Sequence, residues 1–204
     1  MRLLYQTHSP YARKVLVFAH EAGIADRLEV IHQETSPTNA NAEVFAQNPL
    51  GKVPVLLRPG QSPLFDSDVI CAFLDTLAPR SLYPADAEQR WAALRLQALA
   101  QGLSDSGIAL RWETVRRPEP LRHPPLAEGY ALKLTTAYDW LEASGDFGVD
   151  PDIGQIALAT ALDWLEFRGL PDFRTGRPRL TGWFEAFSAR ASMLATPLAG
   201  DTHD

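Results

Sequence analysis

The sequence predicts an α+β domain with the order βαβ-ββα, followed by an all-helical domain. Two observations carry this: short apolar runs alternate with helical periodicity over the first eighty residues, and beyond Pro84 no strand signal remains. Leu3-Leu4-Tyr5 and Leu28-Glu29-Val30-Ile31 read as strands, with Val15, Leu16, Phe18 and Ala19 between them at helical spacing. After the polar stretch Ser36–Asn41, Pro54-Val55-Leu56-Leu57, a turn at Pro59-Gly60 and Pro63-Leu64-Phe65 read as a hairpin. A helix from Ser67 carries Val69, Ile70, Phe73, Leu74 and Leu77 on one face and stops before Pro79. The helical half opens with a long candidate from Ala87 to about Arg117, closed by the proline-rich run Pro118–Pro125. A second helix spans about Leu126 to Ala143. Ile153 to Leu165 marks a third and Leu180 to Ala191 a fourth, both at i, i+3, i+4 spacing. The breakers at 79–84 divide the chain into domains 1–78 and 85–204.

The 204 residues form an ordinary globular composition, 46 % hydrophobic and 22 % charged. A chain of this size hides about 70 % of its unfolded surface, so a core forms without staples. The net charge of -6 offers no footprint for nucleic acid or an anionic membrane. The one cysteine, Cys71, lies in an apolar stretch and reads as a buried thiol. His8, His20, His32, His123 and His203 lack ligand spacing, so no metal is expected. Without a signal-peptide core or an apolar run of membrane length, a cytoplasmic protein is expected.

Several local signals bear on chemistry. Ser9-Pro10 at a strand–helix junction is an ordinary helix start, and it also places a hydroxyl beside free N–H groups where an anion is stabilised. Pro54 opens a strand, and sequence statistics alone favour a trans Val53–Pro54 bond. Ser67 reads as an N-cap after Asp66, and Asp152-x-x-Gln155 as a helix-start box. Arg111-Trp112 and Arg116-Arg117 lie on the long helix, where arginines usually form a solvated face.

The order of these motifs is more specific than any one of them. Ser9-Pro10-Tyr11-Ala12-Arg13-Lys14, then Asn48–Leu56 with Gly51-Lys52-Val53-Pro54, then Phe65-Asp66-Ser67 and a helical half containing Ala98–Asp105 and Arg177–Leu180, resembles the bacterial glutathione S-transferase family over essentially the whole chain. The resemblance is to its YibF-like subgroup.

The resemblance implies a thioredoxin-like first domain that binds glutathione as cosubstrate and a helical domain that lines an electrophile site. It implies that Ser9 is the catalytic hydroxyl. Val53 would precede a cis Pro54 and pair with the tripeptide backbone, Asp66 and Ser67 would hold the γ-glutamyl group, and Lys52 would lie near the glycine carboxylate. Tyr11, Arg111 and Trp112 are the electrophile-site candidates. Asp105 is a candidate to reach across a homodimer, for which the small residues Gly102, Ser104, Ser106 and Gly107 permit close helix approach. The expected activity is attack of the glutathione thiolate on a small apolar electrophile, a detoxification chemistry without a metal. The alternatives are a glutathione-dependent reductase or peroxidase, against which Ser9 stands because disulfide exchange needs an enzyme thiol, and a non-catalytic binding protein of the stringent starvation protein A type.

Overall fold

A computed structural model describes residues 1–200 except Asp146 and Val149; His203 lies outside the described residues. Three strands, β1 (Arg2–Tyr5), β2 (Glu29–His32) and β3 (Val55–Leu57), form a sheet in the order β2-β1-β3. β1 runs parallel to β2, and α1 (Pro10–Glu21) makes the crossover between them; β3 is antiparallel to β1, with Leu4 opposite Val55. The side chains of β1 alternate, so Leu3 and Tyr5 enter one apolar cluster and Leu4 another. α1 and α3 (Ser67–Asp75) cover the first face and supply Val15, Phe18, Ile70 and Leu74. α2 (Ala42–Gln47) covers the second through Val44, the one residue it buries.

The expected hairpin is shorter than its pattern suggested. Leu56 and Leu64 exchange N–H···O bonds at 2.9 and 3.0 Å and form an isolated bridge rather than a fourth strand. On one side Pro54 has no N–H to offer the next ladder position, and on the other the chain turns, with Gln61 N–H donating to Arg58 O at 3.1 Å.

The second half is helical as expected: α4 (Ala87–Arg111), α5 (Pro124–Ser144), α6 (Ile153–Phe167), α7 (Pro178–Ser188) and α8 (Ala191–Leu194). Ala191, expected in the fourth helix, lies in the separate α8, because the chain leaves the helix at Ala189–Arg190. Asp152 Oδ1 accepts from Gln155 N–H at 2.9 Å and starts α6 as its cap. α4 and α6 pack closely, since a Cβ on Gly154 would lie 2.5 Å from the Ala93 carbonyl oxygen. Gly107 faces Leu165 and Trp164 in the same crossing, and Ser104 is buried. These two small residues therefore serve contact within the chain rather than between chains. Gly102 meets open space.

The helical half docks on the first through α1 and α6, and Ile153 N–H donates to Leu82 O at 3.0 Å across the connecting segment. α4 does not end cleanly at Arg111. Trp112–Arg116 form a π-helical turn, closed by Arg117 N–H donating five residues back to Trp112 O at 2.8 Å.

Candidate active site

The end of β1 leads through Gln6–His8 into α1. Ser9 is its N-cap, 8 % exposed, and its Oγ accepts from Ala12 N–H at 3.2 Å. A serine hydroxyl has one proton and two lone pairs, so capping leaves the O–H able to donate at the positive end of the helix. Burial surrounds this point with low dielectric, which strengthens what a donor there can do.

The register places the next element beside it. Leu4 opposes Val55 in an antiparallel pair, so the residues before Val55 lie alongside the segment that follows Tyr5. The Val53–Pro54 bond there is cis, as the family resemblance implies. Val53 is buried, and its N–H and C=O pair with no other backbone group among the described residues. The loop before it is held firmly. Gly51 takes φ +61, Asn48 Nδ2 donates to Lys52 O at 2.9 Å, and Thr35 Oγ1 donates to Gly51 O at 2.9 Å. Lys52 itself is exposed.

The third element is the start of α3. Asp66, not Ser67, is its N-cap; Asp66 Oδ1 accepts from Asp68 N–H at 3.1 Å and Val69 N–H at 3.4 Å. Ser67 thereby becomes the first helical residue. Its hydroxyl is freed from capping, and its Oγ has no partner although the residue is only 1 % exposed. A buried hydroxyl without a partner is uncommon in a folded protein and marks a place where a ligand can supply one. The ion pair of buried Lys14 on α1 with Asp68 locks α3 against α1 and so fixes Ser67 relative to Ser9.

Tyr11 donates a hydrogen bond to Asp105 of α4 in the same chain. Burial, this bond and the nearby charges of Asp105 and Asp66 hold the Tyr11 phenol protonated well above its ordinary range, which makes it a neutral donor and not a base. Asp105, expected to face a partner subunit, is engaged by its own Tyr11 while remaining exposed. Cys71 is fully buried with its thiol pushed up to about 12, so it offers no thiolate at neutral pH.

Sequence reasoning passed over a polar group beside Ser9. Gln6 Nε2 donates to Glu34 Oε2 at 2.6 Å, His32 Nε2 lies 2.7 Å from Glu34 Oε1, and His8 Nε2 lies 3.6 Å from Glu34 Oε2. Burial opposes ionisation of Glu34, but Gln6 and the two histidines outweigh it and hold the carboxyl below its usual range. Burial lowers the His8 pKa, Glu34 opposes, and Arg168 and Arg116 push the same way as burial, which favours the uncharged ring. Trp164 Nε1 donates to His8 O at 2.9 Å and pins this loop to α6. Trp112 and Arg116 stand on the π-helical turn just after Arg111, the last residue of α4, with Arg116 stacked 4.8 Å over Trp112 and close enough to Arg111 to feel its charge. Arg117 turns away to Glu113 at 2.6 Å. No group of histidine, cysteine and acidic residues suited to a metal exists among the described residues. A depression of about 570 Å³ lined by Met1, Arg2, Glu29 and Arg58 lies at the opposite end of the sheet, away from Ser9.

Comparison with known proteins bears on the family and the fold. Residues 8–77 match the glutathione S-transferase N-terminal domain and residues 124–186 the glutathione S-transferase C-terminal domain. The chain is 31 % identical over 203 residues to the uncharacterized GST-like protein YibF of Escherichia coli K12, covering 96 % of this chain and 98 % of that one. A glutathione transferase family member from Pseudomonas fluorescens Pf-5, solved with bound glutathione, is 37 % identical with a TM-score of 0.89 over 98 % of this chain and 99 % of its own. The complex of a family member from the same source with S-(propanoic acid)-glutathione superposes with a TM-score of 0.86 at 37 % identity, over 98 % of this chain and 100 % of its own. The two domain matches and the 31 % identity over nearly the whole chain place it in the glutathione S-transferase family.

Proposed function

We propose that this chain is a glutathione transferase in which Ser9 stabilises the thiolate of bound glutathione. The observation that carries the reading is the Ser9 hydroxyl at the start of α1, its oxygen accepting from Ala12 N–H and its proton free to donate. In this reading residues 1–78 bind glutathione and residues 85–204 line the second site. The Val53 N–H and C=O pair with the cysteinyl backbone as an added strand would. The Ser67 hydroxyl and Asp66 at the head of α3 receive the γ-glutamyl group, and Lys52 lies near the glycine carboxylate. The buried Ser67 Oγ fits such a ligand, because a carboxylate supplies the acceptor it lacks. That the Pseudomonas relatives hold glutathione and one of its thioethers supports the same assignment.

The energetics suffice. A thiol of pKa about 8.5 is only a few per cent thiolate at pH 7, and lowering that value by about two units needs roughly 2.7 kcal/mol. A hydrogen bond to a charged group contributes about 1.5–3 kcal/mol and a helix N-terminus about 0.3–1 more. No general base is required. Chemistry proceeds by attack of the thiolate on a small electrophile whose apolar body lies against Tyr11 and Trp112, with Arg111 beside it. Cys71 is too deeply buried and too weakly acidic to serve disulfide exchange, which favours transfer over reduction. The partnerless Ser67 hydroxyl favours a ligand-binding protein over a bare scaffold.

Calorimetry with glutathione tests the reading directly. Saturable binding is expected, and at a hundredfold excess over Kd it should stabilise the fold by about 2.7 kcal/mol in thermal melts. The absence of both heat and stabilisation would remove the assignment.

We also propose a cytoplasmic homodimer in which Asp105 lies near the neighbouring glutathione site. Leu50, Val69 and Trp91, large apolar residues exposed on the first domain and the start of α4, supply surface for it. Sedimentation at micromolar concentration should give twice the 22.5 kDa chain mass; a monomer would overturn the dimer.

A further inference from the structure

We propose that the second-substrate site selects electrophiles that carry a carboxylate, held by the guanidiniums of Arg116 and Arg168 above the His8–Ser9 loop. This rests on the transferase reading and deepens it.

The two arginines reach the loop by different routes. Arg168 follows the end of α6, and its Nη1 donates to Gly200 O at 3.5 Å. Gly200 lies against the loop, where a Cβ would be 3.6 Å from Thr7 Oγ1 and 3.9 Å from His8 Nδ1, and Ala199 N–H donates to Thr7 O at 3.3 Å. The C-terminal segment therefore carries Arg168 to His8. Arg116 comes from the π-helical turn, where the widened turn brings residues five apart toward one side; its charge bears on His8, and that of Arg111 bears on Arg116. Stacking on Trp112 orients the Arg116 plane.

The loop itself holds a buried polar atom without a partner. His8 is 5 % exposed, its Nε2 side faces Glu34, and its Nδ1, on the side of Gly200, has no hydrogen bond. The carboxylate that bears on His8 is Glu34, which Gln6 and His32 already engage. The guanidiniums of Arg168 and Arg116 act on His8 in the opposite sense to Glu34. Each guanidinium has five N–H donors, so a carboxylate can join the partners it already has.

Such a site does more than bind. When the glutathione thiolate attacks the β-carbon of an α,β-unsaturated carboxylate, the sulfur lone pair forms the C–S bond. The π pair moves to the α-carbon and onto the carboxylate oxygens, and the α-carbon then takes a proton from water. The net change is addition of S–H across C=C, with no oxidant or reductant. Charge grows on the carboxylate during attack, where fixed guanidiniums stabilise it most.

Titration calorimetry with two isosteric thioethers tests this, with glutathione as the reference: S-(2-carboxyethyl)glutathione and its neutral amide, S-(2-carbamoylethyl)glutathione. The wild type should bind the acid about tenfold or more tighter than the amide, as a charge-assisted pair requires. Arg116→Gln and Arg168→Gln should each reduce that ratio toward one, and Arg168→Lys, which keeps the charge, should retain most of it even if Arg168→Gln unfolds. Equal binding of acid and amide by the wild type would overturn the proposal. So would a ratio unchanged in Arg116→Gln, or an equal loss for glutathione, acid and amide, which would assign Arg116 to the tripeptide. Failure of all three ligands to bind wild type would strike the transferase reading itself and the proposal with it.

Discussion

Ser9→Ala is expected to raise the pKa of the bound glutathione thiol by about one to two units, the equivalent of losing one hydrogen bond to a charged group at about 1.4 kcal/mol per unit. At pH 7, from a wild-type value about two units below 8.5, the thiolate population, and with it the rate of attack, should fall about 3- to 25-fold. Binding of the tripeptide should change far less, because Val53, Asp66 and Ser67 remain. The substitution also removes a cap, since Ser9 Oγ accepts from Ala12 N–H, and should cost about 0.5–2 kcal/mol of stability. The two roles separate in Ser9→Asp. Aspartate caps as well as serine, so stability should recover, but its charge repels a thiolate and the bound thiol should titrate higher still. Ser9→Thr keeps both acceptor and donor and should restore both properties. The measurement is ultraviolet thiolate absorbance of bound glutathione against pH, and coincident curves for wild type and Ser9→Ala would end the catalytic role.

The capping serine illustrates what a linear sequence reveals. Ser9-Pro10 is legible because helix starts are written locally, in a hydroxyl followed by a residue with fixed φ. Asp66-Ser67 is legible in the same way, yet the cap falls one residue early, on Asp66. That shift has chemical weight, because it leaves the Ser67 hydroxyl buried without a partner. Two adjacent residues with nearly equal capping propensity cannot be ordered by propensity alone. α2 escaped notice for a related reason: a six-residue helix that buries only Val44 has no stripe to read. The short β3–Leu64 bridge follows from pairing that extends only where both chains have N–H groups to offer.

What surrounds the site is written at long range. His8, Glu34 and His32 carry no spacing motif, and they meet because β1 and β2 pair in parallel with Tyr5 opposite His32. Arg168 reaches the His8 loop only through a C-terminal segment folded back on Thr7. The small residues of α4 were visible, but which partner they face depends on the α4–α6 crossing, and Gly107 turns out to face Trp164 and Leu165 of its own chain. Periodicity specifies a buried face, and packing chooses its occupant.

Arg13 holds that long-range arrangement together, and Arg13→Met should be the most destabilising single substitution of a charged residue in the α1–α6 contact. Arg13 is 2 % exposed; its Nε donates to Thr196 O at 2.5 Å, its Nη2 to Met193 O at 3.3 Å, and its Nη1 pairs with Asp163 of α6. One guanidinium thus joins α1, α6, α8 and the segment that follows α8. Methionine fills much of the volume but donates nothing, so two buried carbonyls and one partly buried carboxylate lose their partner. Breaking a buried pair from one side costs about 3–5 kcal/mol; with 29 % of the Asp163 side chain in solvent, about 3 kcal/mol is expected. Lysine should not rescue it, because a single ammonium cannot reach three acceptors arranged for a planar fork. The double substitution Arg13→Met with Asp163→Leu removes the stranded charge and should recover part of the loss, leaving the carbonyls as the residue of the cost. Urea unfolding of the two singles and the double gives the coupling; a loss below about 1 kcal/mol for Arg13→Met would show that the pair is not a structural clamp. Release of the segment after α8 also loosens the Ala199–Thr7 contact that brings Arg168 to His8, so Arg13→Met should weaken acid-over-amide selection while leaving the Ser9 hydroxyl in place.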